Sequence, residues 1–312
     1  MTEKRSDPYD VVIVGGSFAG LAAAMPLGRV RRRVLVIDSG RPRNATSPAA
    51  HGFLGQDGRP PAEVLKTFRE QVGAYPTVDF LVGAVDDVQK GEGEGVFVVG
   101  TAGGERISAR RIVLATGVVD DLPSVPGLAE RWGDSVLHCP YCHGFEVADR
   151  RLGVLATSEA NLHQVRLLGD LSRDVTLFTN GALHLSHEQE TAMQEQGVRI
   201  ETDVVAGLLG EGTRLEALSM RDGRTVPIDA LFTGSRSRFA SDIAERLGCG
   251  IDEGPFGPMV ATTAKKETTI PGVFCAGDAA HAPHSITFAV ADGALAGLST
   301  HQSLVFGGEV GR

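Results

Sequence analysis

Two closely spaced cysteines offer the clearest chemistry in the chain. Cys139 and Cys142 are two of the four cysteines in 312 residues, and His138 and His143 flank them directly. A Cys-x-x-Cys pair can close into a disulfide and open again, and its thiolate is favoured near a helix N-terminus or a histidinium. The spacing therefore predicts redox chemistry, provided that the chain also holds an electron donor or acceptor against the pair.

The same residue types could in principle bind zinc, but their spacing disfavours it. No second pair of ligands follows at the distance that zinc sites use, and Cys249 and Cys275 are isolated in the sequence. We therefore predict no metal site. Cys249 and Cys275, the second within an apolar strand, are expected to be small buried hydrophobic side chains.

A nucleotide-binding pattern occupies the first forty residues. The apolar run Tyr9–Val14 predicts a strand buried on both faces, and it leads into Gly-Gly-Ser-Phe-Ala-Gly at 15–20 and then a helix. A second apolar run ends at Asp38. In this βαβ pattern Gly15 permits a tight turn, Ser17 is small enough for a pyrophosphate to approach, and Gly20 lets the helix pack on the strand. Phosphates would lie at the helix N-terminus, and Asp38 would accept hydrogen bonds from a ribose.

Further elements surround this pattern. Turn-forming residues dominate 41–58, which predicts a long loop, and long loops in compact domains are often functional. We also predict a helix over 61–72, a small meander containing strands 78–82 and 96–99, buried strands at 111–117 and 269–278, and a helix over 285–304.

A second strand–turn–helix unit follows the cysteines, but it lacks the chemistry of the first. Strands are predicted at 151–156 and 174–178, with a helix near 162–171. The turn has no glycine after Gly153, and Glu159 would place a negative charge where a pyrophosphate should lie. No arginine for a 2′-phosphate follows the second strand. A helix terminus binds anions through its positive end, so we expect no NADPH binding here.

Composition excludes several classes of partner. The net charge of −9 argues against nucleic acid or an anionic membrane as the main partner, and no segment predicts a membrane span. The first ten residues are polar and charged, unlike a signal peptide. With so few cysteines, the sequence predicts a cytoplasmic protein.

Taken together, the order of motifs resembles the low-molecular-weight thioredoxin reductase family over essentially the whole chain. The order is Gly-x-Ser-x-x-Gly, Ala-Thr-Gly, Cys-x-x-Cys, a second βαβ unit and Gly-Val-Phe-x-Ala-Gly-Asp. This resemblance implies an α/β fold with two Rossmann-like, three-layer dinucleotide-binding domains, the second inserted into the first. It implies an FAD domain from 1–117 and 235–312, a nicotinamide-type domain with a degenerate nucleotide motif from 118–234, and a homodimer.

The resemblance also implies roles for individual residues. Cys142 matches the cysteine that faces the flavin, and Cys139 matches the one that exchanges with substrate. Contacts to FAD are implied for Gly15, Ser17, Phe18, Ala19, Gly20, Asp38, Arg43, His51, Val85, Ala115, Thr116, Gly117, Gly277, Asp278, Ser285, Ile286 and Thr287.

Two departures from the reductases shift the expected activity. His143 stands where those enzymes carry an acid, and the NADPH turn and its arginine cluster are missing. In these respects the chain is similar to the FAD-dependent dithiol oxidases that close disulfides in natural products such as gliotoxin, holomycin and romidepsin. The similarity implies oxidation of a small dithiol substrate, with O2 as acceptor and H2O2 as by-product.

Histidine roles and other activities stay open at this stage. His143, and as a second candidate His138, would carry protons because the unperturbed pKa of imidazole lies near neutrality. The alternative for either is a packed polar neighbour. A reductase for a thioredoxin-like protein, supplied by NADPH or ferredoxin, and a non-catalytic flavin redox sensor are the competing functions.

Overall fold

The computed structural model describes residues 8–92 and 96–307, and the chain divides into two compact units. The first comprises the chain up to Ala45, Ala62–Val119 and the chain from Ser237, and the second comprises Thr46–Pro61 and Asp120–Arg236. The first ten residues, on which the signal-peptide expectation depends, lie mostly outside the described residues. Assignment of the units to an FAD domain and a nicotinamide-type domain stays a prediction.

The first unit begins with a βαβ arrangement. Its elements before the second unit are β1 (Tyr9–Val14), α1 (Phe18–Arg29), β2 (Val34–Asp38), α2 (Pro61–Gly73), β3 (Val78–Val82), β4 (Val85–Lys90), β5 (Phe97–Thr101) and β6 (Arg106–Leu114). Strand β7 (Val118–Asp121) then leads into the second unit.

The second unit contains a parallel sheet and a small meander. Its elements are β8 (Val136–Leu137), α3 (Pro140–His143), β9 (Leu152–Leu155), α4 (Asn161–Gly169), β10 (Val175–Phe178), α5 (His187–Glu195), β11 (Arg199–Glu201), β12 (Val205–Leu209), β13 (Ala217–Met220), β14 (Thr225–Pro227) and β15 (Ala230–Thr233). The parallel sheet has the order β11-β10-β9-β15-β8, and β12-β13-β14 form an antiparallel sheet.

The chain returns to the first unit through β16 (Arg236–Phe239). It continues as α6 (Ile243–Arg246), β17 (Ile251–Glu253), β18 (Pro258–Val260), β19 (Val273–Cys275) and α7 (Ile286–Phe306). Strands β3-β2-β1-β6 are parallel neighbours, and β19 joins β6 in parallel. Two segments far apart in sequence thus build one sheet.

Alternation of side chains along β1 explains why this sheet is buried on both faces. Val12 and Val14 enter one hydrophobic core, while Val11 and Ile13 enter the other. Successive side chains of a strand point to opposite faces, so an uninterrupted apolar run supplies both cores. The α/β fold with parallel sheets is confirmed.

The pairing predicted for the strand at 78–82 is wrong, and the strand predicted over 269–278 is limited to Val273–Cys275. Residues 78–82 were expected in a meander with 96–99, but β3 pairs with β2 in parallel at the edge of the main sheet. The meander consists of β4, β5 and β6 instead. An edge strand is covered on fewer sides, and β3 accordingly has mixed burial, with Val82 78% exposed. Its sequence therefore lacks the continuous apolar run that is typical of a buried parallel strand.

Candidate active site

The Cys139–Cys142 pair is closed as a disulfide at the start of a single helical turn. Cys139 is the N-cap of α3 with extended backbone, Pro140 occupies the first turn, and the two Cα atoms are 5.3 Å apart. Proline suits this position because its missing N–H would have no partner there. The turn brings the two sulfur atoms within bonding distance, so the pair forms a disulfide, while its redox role stays a prediction.

Gly144 allows this turn to pack closely on its own unit. A Cβ added at Gly144 would lie 2.4 Å from the carbonyl oxygen of Pro140 and 2.5 Å from Leu171 Cδ1. Real Cβ atoms do not approach other atoms so closely, so any other residue would displace the turn. The sequence shows a glycine after Cys142-His143, but only the packing in the structure shows why a residue without a Cβ is needed there.

Large apolar side chains project into solvent beside the pair. Tyr141 is 81% exposed and Phe145 is 88% exposed, whereas Cys139 and Cys142 are half-buried. Isolated exposed hydrophobic residues are common on proteins. Here Tyr141 lies between the two cysteines in the sequence and Phe145 lies three residues after Cys142.

His143 is half-buried next to the disulfide. Burial is the main cause that lowers its pKa below the ordinary value of 6.5, since the charged imidazolium is disfavoured away from water. The carboxylate of Glu146 opposes this effect, as does that of Asp134 to a smaller extent, while His51 adds to the lowering. At neutral pH the imidazole is therefore predominantly neutral and able to accept a proton.

His51 lies in the second unit, in the long loop predicted from its turn-forming residues. Its Nε2 is 3.4 Å from Glu146 Oε1 and its Nδ1 is 3.7 Å from Asp57 Oδ1. Sequence reasoning gave His51 only a flavin or phosphate contact, which stays a prediction. The contact with Glu146 places His51 beside the Cys-x-x-Cys segment, which no spacing in the sequence indicated.

The first unit contains a cradle with the shape that a dinucleotide requires. Gly15 has φ +102°, and a Cβ there would lie 2.2 Å from the carbonyl oxygen of Ala115. A Cβ at Gly20 would lie 1.9 Å from the carbonyl oxygen of Gly15. Only glycine fits either position, so strand, turn and helix approach each other as closely as the fingerprint predicts.

The N-terminus of α1 is left open at this turn. Ser17 is the N-cap but accepts no side-chain capping bond, and the first turn, which lies within the described chain, has no acidic residue. Phe18 and Ala19, buried at the start of the helix, therefore present backbone N–H groups at its positive end. Asp38 ends the adjacent β2, and a Cβ on Gly16 would lie 2.8 Å from Asp38 Cβ.

The C-terminal Gly-Asp motif lies against the same cradle. Gly277 has φ +77°, and a Cβ there would lie 2.7 Å from Ala19 Cβ. Asp278 accepts a hydrogen bond of 2.8 Å from Arg43 Nη1, and both side chains are largely buried. Residues more than 230 positions apart are thus brought together as predicted for one cofactor site.

Two residues that sequence reasoning missed support this motif. Asp292 on α7 accepts a hydrogen bond of 2.9 Å from the backbone N–H of Gly277 through Oδ2, and its Oδ1 lies 2.5 Å from Lys266 Nζ. The two side chains are only 7% and 12% exposed. A buried carboxylate needs such partners, and it fixes the Gly277 turn in return.

The remaining predicted FAD contacts lie at the ends of elements in the first unit. Val85 begins β4, Thr116 and Gly117 follow β6, and Ser285 is the N-cap of α7, accepting a hydrogen bond of 3.1 Å from Phe288 N–H. Ile286 and Thr287 form the first turn of that helix. The glycine cradle, open helix terminus and Arg43–Asp278 pair fit FAD, although the individual contacts stay predictions.

The corresponding turn in the second unit is filled by protein. Asn161, 2% exposed, accepts hydrogen bonds through Oδ1 from the backbone N–H groups of Thr157, at 2.8 Å, and Ser158, at 3.1 Å. Both groups belong to the turn after β9, which corresponds to the turn after β1 in the first unit. Glu159 is exposed beside them. A protein acceptor and an exposed acid at this turn therefore disfavour the phosphates of a nicotinamide nucleotide.

The other two cysteines do not join the site. Cys249 and Cys275 are buried, and burial raises the pKa of both thiols. The prediction that they are buried small side chains is confirmed. Among residues 8–92 and 96–307, no three His, Cys, Asp or Glu side chains are close enough together to hold a metal ion, and no helix could cross a membrane.

Comparison with known proteins gives consistent matches over most of the chain. The model of the pyridine nucleotide-disulphide oxidoreductase family matches residues 9–293. "Thioredoxin reductase tcpT" of Claviceps purpurea is 34% identical over 304 residues, covering 94% of this chain and 93% of the relative. "Thioredoxin reductase aclD" of Aspergillus oryzae is 30% identical over 311 residues, covering 96% and 97%.

Two solved structures are also similar to this chain over most of its length. An oxidoreductase from Agrobacterium tumefaciens is similar with a TM-score of 0.90 and 42% identity, over 96% of this chain and 99% of that chain. The structure of HlmI is similar with a TM-score of 0.89 and 38% identity, over 98% and 94%.

Proposed function

The chain belongs to the pyridine nucleotide-disulphide oxidoreductase family, and on that premise we propose that it is an FAD-dependent dithiol oxidase that closes a disulfide in a small-molecule natural product. It is a thioredoxin reductase-like enzyme of the oxidoreductase class, with FAD as its cofactor. The direction of electron flow, the dithiol and the use of O2 are parts of the proposal. The homodimeric state and the cytoplasmic location of the protein stay predictions.

The filled turn of the second unit is the observation that carries this proposal. Asn161 accepts from two backbone donors of the second turn, whereas Ser17 makes no side-chain capping bond at the N-terminus of α1 in the first unit. A reductase must obtain electrons from a donor such as NADPH. With that donor disfavoured, the Cys139–Cys142 disulfide is better suited to receive electrons from a substrate dithiol.

The proposed reaction uses the disulfide as the electron acceptor. A substrate thiolate attacks the sulfur of Cys139, forming a mixed disulfide and releasing Cys142 as a thiolate. The second substrate thiolate then attacks the substrate sulfur of that mixed disulfide, forming the product disulfide and releasing Cys139. Two electrons now reside on the cysteine pair. Bound FAD supplies the capacity to take up this electron pair and pass it to O2, which yields H2O2.

His143 is the proposed proton acceptor for the attacking substrate thiols. Its lowered pKa keeps the imidazole neutral at neutral pH, and its place directly after Cys142 is within the reacting segment. His138, on the other side of the pair, is the second candidate. The exposed side chains of Tyr141 and Phe145 support a substrate with apolar surface.

Serine variants of the pair test the proposal. Cys142→Ser should retain FAD, seen in its visible spectrum, but should lose oxygen consumption with dithiothreitol as the dithiol. Cys249→Ala, which removes a buried thiol outside the pair, is the control and should keep the activity. Dithiol oxidation by Cys142→Ser at the wild-type rate would show that the assigned roles are wrong.

Reduction of a thioredoxin-like protein is a second candidate function. The names of the relatives, thioredoxin reductases from Claviceps purpurea and Aspergillus oryzae, favour it. It requires NADPH bound in some other way, or a reduced ferredoxin, and is distinguished by the direction of electron transfer.

A further inference from the structure

Asn161 connects the filled turn to a second side chain through the other half of its amide. Its Nδ2 donates a hydrogen bond of 2.8 Å to Gln164 Oε1, one helical turn further along α4. Gln164 Nε2 in turn donates a hydrogen bond of 2.8 Å to the backbone carbonyl oxygen of His138. A continuous line of hydrogen bonds therefore runs from the turn after β9 to the residue before Cys139.

Direction along this line is fixed by backbone groups. The N–H groups of Thr157 and Ser158 can only donate, so Asn161 must turn its oxygen toward them and its NH2 toward Gln164. Gln164 must then present its oxygen to Asn161 and its NH2 to the carbonyl of His138. Each amide has a single orientation that satisfies all its partners, which gives the network one arrangement.

The bonded carbonyl belongs to the peptide group that positions Cys139. Strand β8 ends at Leu137 and α3 begins at Pro140, so His138 and Cys139 are the whole connection between them. The oxygen of His138 and the nitrogen of Cys139 lie in one planar peptide group. A hydrogen bond that holds this oxygen therefore also restrains the backbone from which the sulfur of Cys139 projects.

We propose that Gln164 is a positioning residue for the redox disulfide and that Asn161 holds it in place. The turn that would receive a pyrophosphate in a dinucleotide domain is thus used to anchor the Cys-x-x-Cys segment. The proposal rests on the redox role proposed for Cys139 and Cys142, but not on the identity of the substrate or of the oxidant. The proposal includes a movement of this segment that weakens these bonds when the disulfide opens, so their loss should favour the dithiol.

The test measures the disulfide–dithiol equilibrium of the FAD-loaded enzyme in anaerobic glutathione buffers. Alkylation followed by peptide mass analysis gives the reduced fraction of Cys139 and Cys142. Gln164→Leu removes both bonds of the side chain. Gln164→Glu keeps its shape and still accepts from Asn161, but as a carboxylate it cannot donate to His138. Both variants should shift the equilibrium toward the dithiol by about 2- to 10-fold, the range expected for one hydrogen bond.

Two further variants separate positioning from general effects. Arg166→Gln makes the same change of net charge as Gln164→Glu on the same helix, at an exposed position, and should leave the equilibrium unchanged. Asn161→Ala should shift it in the same direction as Gln164→Leu. In the double variant Asn161→Ala with Gln164→Leu, the shift of the disulfide–dithiol equilibrium should be smaller than the sum of the two single shifts, because both changes interrupt one line of hydrogen bonds.

Wild-type equilibria in both Gln164 variants would overturn the proposal, as would an equal shift in Arg166→Gln or full additivity in the double variant. Far-ultraviolet circular dichroism and FAD content identify any variant that fails to fold, and the isosteric Gln164→Glu then decides. An enzyme that failed to oxidise any dithiol with O2 would refute the proposed function, while the glutathione equilibrium would still report the effect of Gln164.

Discussion

The buried ion pair behind the Gly-Asp motif gives the most quantitative prediction. In Lys266→Met the carboxylate of Asp292 stays only 7% exposed and loses the ammonium group that lies 2.5 Å from its Oδ1. Removal of one partner from a buried pair costs about 3–5 kcal/mol, since the other charge remains out of water. For a domain of this size each kcal/mol lowers Tm by about 2–4 °C, so we expect a decrease of about 6–20 °C.

The rest of the design isolates the buried charge. Thermal unfolding followed by circular dichroism measures Tm, and gel filtration measures retained FAD, which should also decrease because Asp292 fixes the Gly277 turn. Lys265→Met changes the exposed neighbouring lysine and should alter stability by no more than about 0.5 kcal/mol. Lys266→Met combined with Asp292→Asn should recover most of the loss, because a neutral amide oxygen can still accept from Gly277. Equal Tm values for the two lysine variants would refute the reasoning.

Three more predictions concern the redox pair, the cradle and the buried thiols. Glu146→Gln removes a charge that raises the pKa of His143, so this pKa should fall further. The neutral imidazole is the proposed base, so kcat/KM decreases as pH falls through the pKa of His143. In Glu146→Gln the acidic side of the pH profile of kcat/KM should therefore move to lower pH. An unchanged pH profile would contradict this. Gly20→Ala should cost about 1–3 kcal/mol and release FAD, measured by unfolding and absorbance, because its Cβ overlaps a backbone oxygen. In the reduced native enzyme, iodoacetamide should label the redox pair but not Cys249 or Cys275, whose thiol pKa values are raised by burial, as mass spectrometry would show.

Local patterns account for most of what the sequence predicted correctly. Continuous apolar runs such as that of residues 11–14 specify parallel strands, and the glycines at 15 and 20 specify a turn that admits no Cβ. The Cys-x-x-Cys spacing likewise predicts a pair that can close into a disulfide, and the structure contains this disulfide. The strand at 78–82 was misassigned because an edge strand exposes part of its surface, so its pattern is ambiguous.

Contacts between distant residues account for what the sequence could not predict. Asp292 and Gly277 are 15 positions apart, and Gln164 and His138 are 26 positions apart. The two residues of each pair lie in different parts of the fold, so no periodicity within one helix or strand indicates the pairing. The sequence showed that the second nucleotide turn lacks glycine, but only the packed structure shows that Asn161 occupies it.

Anaerobic stopped-flow absorbance of the bound flavin tests the central claim most directly. The oxidised enzyme is mixed in separate experiments with dithiothreitol and with NADPH, and the flavin absorbance is followed. The Cys139–Cys142 disulfide can accept electrons, so the account predicts rapid bleaching of the flavin by dithiothreitol. Asn161 bonds the backbone of the turn after β9, so the account predicts no bleaching by NADPH. Bleaching by NADPH, with the flavin left oxidised by the dithiol, would contradict the account.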